Sequence, residues 1–165
     1  MRRLRVDDLA HYKALRDAML AAHPQAFTTD AAAAARQTAQ SYHARLGIDQ
    51  PGGGHFTLSA WRDAELVGAV SCERESRGKA RHIGQLVGMM VADPGRGIGQ
   101  ALLDACIAEA RRAEGLEMLT LSVTAGNWPA EHLYRRAGFT RYGSLPRAIK
   151  LDGRYHDKHL MVLTL

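Results

Sequence analysis

One segment constrains this chain more than any other. Val91-Ala92-Asp93-Pro94-Gly95-Arg96-Gly97-Ile98-Gly99-Gln100-Ala101-Leu102-Leu103 passes from an apolar run, through three spaced glycines, into an amphipathic repeat. That pattern predicts a strand, a glycine turn and a helix. The first N–H groups of a helix have no intrahelical partner, and the helix dipole adds positive potential there. Glycine lets a ligand approach that backbone closely. The segment therefore reads either as a phosphate cradle, with Arg96 adding a charge-assisted contact, or as a plain tight turn.

Two common phosphate motifs are excluded. The sixth position counted from Gly95 is Gln100, and from Gly97 it is Leu102, so G-x-G-x-x-G fails. No Gly-Lys-Ser/Thr follows either, so a Walker loop fails.

Around this turn the chain alternates between two periodicities. Leu9, Tyr12, Leu15, Met19 and Ala22 predict a helix over 8–22, after a short strand from Arg2 to Val6. The alanine-rich stretch predicts a second helix over about 30–46. Phe56–Trp61 and Leu66–Cys72 predict a hairpin, and Ile83–Val91 a third strand of that set. A helix follows the glycine turn and ends at Gly115, then Met118–Val123 returns as a strand. Asn127 to Ala137 predicts a helix capped by Asn127 and stopped by Gly138. Phe139–Tyr142 and His159–Leu165 are strands, with a hairpin turn at Leu151-Asp152-Gly153-Arg154. The expected fold is α/β (α+β): a single domain over 1–165 with one sheet flanked by helices.

Composition narrows the function. At 165 residues, 46% apolar and 24% charged, the chain is an ordinary globular domain. No apolar run approaches membrane-spanning length, and the N-terminus lacks the apolar core of a secretory signal. Cys72 and Cys106 sit in apolar stretches and read as buried, reduced thiols of a cytoplasmic protein. The net charge of +5 favours anionic partners, but aromatics are 6% and no basic stripe is interleaved with them, so nucleic acid is not expected. His156 and His159 fall on opposite faces of a strand, so no metal site is expected.

A second segment, Leu121 to Phe139, carries the resemblance. N-x-x-A-x-x-L-Y-x-x-x-G-F is met by Asn127, Ala130, Leu133, Tyr134, Gly138 and Phe139. Q/R-x-x-G-x-G/A is met by Arg96, Gly99 and Ala101. Together they resemble the GNAT superfamily of acetyl-coenzyme A-dependent N-acetyltransferases, over most of the chain. His23-Pro24-Gln25-Ala26-Phe27 and Gly153-Arg154-Tyr155-His156-Asp157 resemble a bacterial subgroup without an assigned substrate. One departure stands out: aligning the helix puts Pro94 where that family has Gln or Arg and shortens the turn by two residues.

The resemblance implies a mixed, mostly antiparallel sheet of six to seven strands with a central splay and about four helices. It implies direct transfer of acetyl from acetyl-CoA, with no metal, to an amine. Amides of Arg96, Gly97, Ile98, Gly99, Gln100 and Ala101 would hold the pyrophosphate. An orphan N–H at Met90 or Val91 would polarise the thioester carbonyl. Tyr134 would protonate the leaving thiolate. Asn127 and Ala130 would support the cofactor. Candidates for the base are Glu73, a water on Gln85, and His82. Phe27, Tyr42, Trp61, Tyr155 and His156 would line the acceptor side. The expected partners are acetyl-CoA and an amine acceptor, with no nucleic acid and no membrane. The acceptor's identity and a homodimer stay open. The alternative is a CoA-binding sensor or scaffold of the same fold.

Overall fold

The computed structural model describes residues 1–50 and 52–165. Seven strands form one sheet: β1 (Arg2–Arg3), β2 (Phe56–Arg62), β3 (Glu65–Arg74), β4 (Ile83–Val91), β5 (Met118–Thr124), β6 (Thr140–Leu151) and β7 (Arg154–Thr164). Their order is β1-β2-β3-β4-β5-β7-β6. Every neighbouring pair is antiparallel except β4 and β5. Sheet, helices and connectivity agree with the expected class.

Four α-helices are present among the described residues, α1 (Leu9–Ala22), α2 (Ala31–Ala35), α3 (Ile98–Arg112) and α4 (Trp128–Arg136), of which α2 packs against α1. The larger core lies under α3 and α4. There Leu102, Leu103, Cys106, Ile107 and Ala110 meet Val70, Cys72, Leu86 and Leu119. The smaller core lies under α1, where Leu9, Tyr12 and Leu15 meet Leu66, Ala69 and Met90. Burial raises both thiols, Cys72 to about 12 and Cys106 further.

Several expectations change, and the strands expected at Phe139–Tyr142 and His159–Leu165 extend toward each other into the long β6–β7 hairpin. The strand from Arg2 stops at Arg3, and the helix expected over 30–46 ends at Ala35. Thr38 is extended, and its carbonyl accepts the Ser41 N–H and Oγ–H, which starts a 3₁₀ turn instead. That break lets Tyr42 reach the core edge-on to Tyr12, ring centroids 5.5 Å apart. Tertiary burial outweighs alanine propensity here.

The feature that makes a site is the junction of β4 and β5. They pair over three rungs only: Ile83 with Met118, Gly84 with Leu119 and Gln85 with Thr120. Beyond, Leu86–Val91 and Leu121–Thr124 run on without pairing to each other, each held only by its other neighbour. A bulge opposite Val70 bends β4 away, and its Gly88 takes φ +60, a conformation that disfavours any side chain.

Candidate active site

The fork between β4 and β5 opens into a cleft of about 930 Å³. It is walled by Gly95, Gly97, Gly99 and Gln100 at the start of α3, by Val91, Asn127, Ala130 and Tyr134, and by Arg16, Phe27, Thr28, Thr29, Gln85, Val87, Gly88, His156 and Lys158.

The α3 end offers donors. Gly97 caps the helix at φ +75 and Gly95 sits at φ +88, so the turn needs glycine for its backbone. The Ala101 amide is taken by the Gly97 carbonyl at 3.0 Å. The amides of Gly95, Arg96, Gly97, Ile98, Gly99 and Gln100 bond to no atom of the described residues. Six consecutive unpaired N–H groups at one helix start fit an anionic diphosphate. The Arg96 side chain points elsewhere. It is paired with Asp93 at 3.2 Å and lines a separate small hollow with Ile98.

Beside the fork, the ladder of β3 and β4 assigns the next donor. The Ala92 N–H donates to the Val67 carbonyl at 2.9 Å, and Ala69 faces Met90 in register. Because antiparallel bonding alternates, the Met90 N–H turns toward β3 and the Val91 N–H toward the open gap. The Met90 side chain is buried in the α1 core, outside the cleft.

Tyr134 rises from α4 between the two. Its ring packs edge-on against Phe139, centroids 6.0 Å apart, and 6% of the residue is exposed. Its hydroxyl has no hydrogen-bond partner among the described residues, and the residue lines the cleft. Burial pushes the phenol well above its ordinary range, so it stays protonated at neutral pH. Asn127 caps α4 by accepting the Ala130 N–H at 3.3 Å. The carboxylate of Glu131, 1% exposed, accepts from the Gly126 amide (3.2 Å) and Arg135 (2.6 Å). His159 Nδ1 lies 3.2 Å from it. These contacts hold the turn that aims α4.

The expected acceptor residues divide. Phe27 and His156 line the cleft. Tyr42 is buried beneath Arg16, Trp61 stacks with His11 and Arg2, and Tyr155 is exposed against Arg147. Glu73 stands beside Gln85 across β3 and β4, but its Oε1 accepts from Arg45 Nε at 2.9 Å and it does not line the cleft. His82 lies at the paired end of the fork, where its carbonyl accepts the Glu117 amide. Sequence reasoning missed Arg16, Arg45 and Lys158. Their only signal was the charge on otherwise ordinary helix and strand positions.

The Acetyltransferase (GNAT) family model matches residues 12–139. The chain belongs to the GNAT acetyltransferase family. An acetyltransferase of GNAT family from Streptococcus pneumoniae superposes on this GNAT chain with a TM-score of 0.89, at 26% identity, over 99% of this chain and 98% of that one. A Salmonella typhimurium structure solved with its cofactor acetyl-CoA shares the fold, with a TM-score of 0.80 at 24% identity, over 99% and 92% of the two chains. A mycothiol acetyltransferase from Propionibacterium freudenreichii is 31% identical over 82% of this chain and 41% of its own length. The chain thus spans about two fifths, 41%, of the curated relatives it matches. No helix of the described residues is long and apolar enough to cross a membrane.

Proposed function

We propose that this chain is an N-acetyltransferase that moves acetyl from acetyl-CoA to a primary amine of a small molecule or peptide, by direct attack with both substrates bound. The observation that carries the reading is a single cleft joining unpaired amides of the turn that opens α3, an outward Val91 N–H and the unpartnered Tyr134 hydroxyl. Acetyl-CoA supplies an activated acyl group on a thiol that leaves readily.

The amides from Gly95 to Gln100 hold the pyrophosphate, and the fork admits the pantetheine arm between β4 and β5. Val91 N–H donates to the thioester carbonyl and stabilises charge as it builds there. Tyr134 Oη donates its proton to the departing sulfur. Asn127 and Ala130 keep α4 aimed at that sulfur. On the acceptor side, Arg16, Arg45 and Lys158 disfavour another positive charge, so the incoming amine is held neutral. Gln85 is placed to orient the water that takes its proton, and Glu73 acts through Arg45.

The test is calorimetry with acetyl-CoA, followed by an amine screen that reads released thiol. Binding and turnover are expected. Absence of any stabilisation at millimolar acetyl-CoA would overturn the reading. Tight binding with no transfer across the panel would favour a CoA-responsive sensor.

A further inference from the structure

Arg16 is 4% exposed, yet among the described residues no carboxylate lies within ion-pair distance of it. Its Nη2 donates to Thr29 Oγ1 at 3.1 Å, and its guanidinium lies 5.7 Å from the centre of the Tyr42 ring. Nε is buried without a partner. Burying a guanidinium without a counter-ion is costly, so such groups are normally paired.

The nearby carboxylates are all committed. Asp17 pairs with Lys13, Glu73 with Arg45, Asp30 caps α2 at Ala33, and Asp157 accepts the Arg147 amide. A second cation faces the same stretch of loop. Lys158 Nζ, on β7, donates to Thr28 Oγ1 at 2.7 Å and has no ion pair among the described residues. Consecutive threonines thus hold a guanidinium from α1 and an ammonium from β7 in one cleft. Arg16 also sits over the β4 bulge, since a Cβ built on Gly88 would lie 3.9 Å from Nη1. The unpaired amides that suit the pyrophosphate belong to a different part of the cleft wall, the turn that opens α3.

We infer that Arg16, with Lys158 across from it, binds a carboxylate of the acceptor, so that the acceptor class is amines carrying a carboxylate a few bonds from the nitrogen, as in amino acids. The missing counter-ion of Arg16 arrives with the substrate. Its closeness to the bulge places the amine beside the Val91 end of the fork. Bidentate hydrogen bonding suits guanidinium to carboxylate. This inference rests on the acetyltransferase reading above.

The experiment assays the twenty amino acids beside their α-carboxamides and their decarboxylated amines, with acetyl-CoA and thiol detection. The carboxylates are expected to be turned over best, with kcat/KM roughly 10- to 100-fold above the matching carboxamides. Arg16→Gln should raise KM for the carboxylates by a similar factor. It should leave acetyl-CoA affinity nearly unchanged and slow the carboxamides far less than the carboxylates, and Arg16→Lys should recover part of the loss. Equal or better use of amines without a carboxylate overturns the inference, as does acetyl-CoA binding with no carboxylate turned over. An Arg16→Gln variant that slows every amine alike also overturns it. If Arg16→Gln fails to fold, the wild-type preference alone decides. Failure to bind acetyl-CoA at all would instead strike the acetyltransferase reading itself.

Discussion

Gln85 and Thr120 form the last rung on which β4 and β5 are joined. One residue further the strands part, and everything assigned to chemistry lies in or beside the space between them.

Tyr134→Phe removes one oxygen and keeps the ring against Phe139. Turnover is expected to fall roughly 100-fold, the scale of a positioned acid. Acetyl-CoA affinity should change little. Steady-state kinetics beside calorimetric titration will check both, and full activity in the variant would remove the phenol from its role.

Gly97→Ala forces a side chain onto a backbone at φ +75, although nothing lies within 4 Å of the added Cβ. The strain should cost about 1 kcal/mol of stability. Acetyl-CoA affinity should weaken as the turn relaxes and its amides lose their common aim. Urea unfolding and titration together separate the two effects.

Glu131→Ala removes a buried acceptor shared by the Gly126 amide and Arg135. Loss of roughly 1–2 kcal/mol is expected, chiefly from the unpaired Gly126 amide, since Arg135 is half exposed and stays hydrated. Because the β5–α4 turn then loosens, kcat should fall as well. Thermal unfolding and kinetics on one preparation provide the check.

Acid should weaken the N-terminal segment through Asp8. The Arg2 side chain, at 2.6 and 2.8 Å, holds the Asp8 carboxyl below its usual range, helped by the Arg5 amide. A depressed folded value means this stability is present above about pH 4, the unfolded value, and is lost as pH falls through the folded one. Asp8→Asn should therefore lower Tm at pH 7 and flatten its fall below pH 4. Parallel acid slopes in both proteins would refute this.

Both cysteines should resist thiol reagents in the native state. Burial raises Cys72 to about 12 and Cys106 further, leaving almost no thiolate at pH 8. Ellman's reagent should react slowly with the folded chain and rapidly in guanidinium. Native reactivity within seconds would contradict the burial.

The strands β2 to β5 and the long helices were legible because their apolar residues repeat at strand or helix spacing over many positions, whereas the mostly exposed β6 carries no such pattern and was read only at Phe139–Tyr142. The α3 stripe from Leu102 to Ala110 is such a case. Residues 36–46 were not legible. Their alanines favour helix locally, whereas Tyr42 and Leu46 are drawn to a core that no local pattern announces. At the site, the glycine turn could be read from spacing, and Tyr134 from the resemblance of its segment to the family's motif. Arg96 could not, because only the fold shows its side chain paired with Asp93 and turned aside. Arg16 looked like a surface charge on an amphipathic helix, and only the packing of α1 beneath Thr29 and over Tyr42 reveals it as buried.

The donor at Val91 belongs to the main chain, so no substitution other than proline deletes it. It persists as long as the two strands diverge. The walls contributed by α1 and its following loop carry no such duty. A lineage can therefore rewrite its choice of acceptor there, residue by residue, while the acyl-handling half is inherited intact.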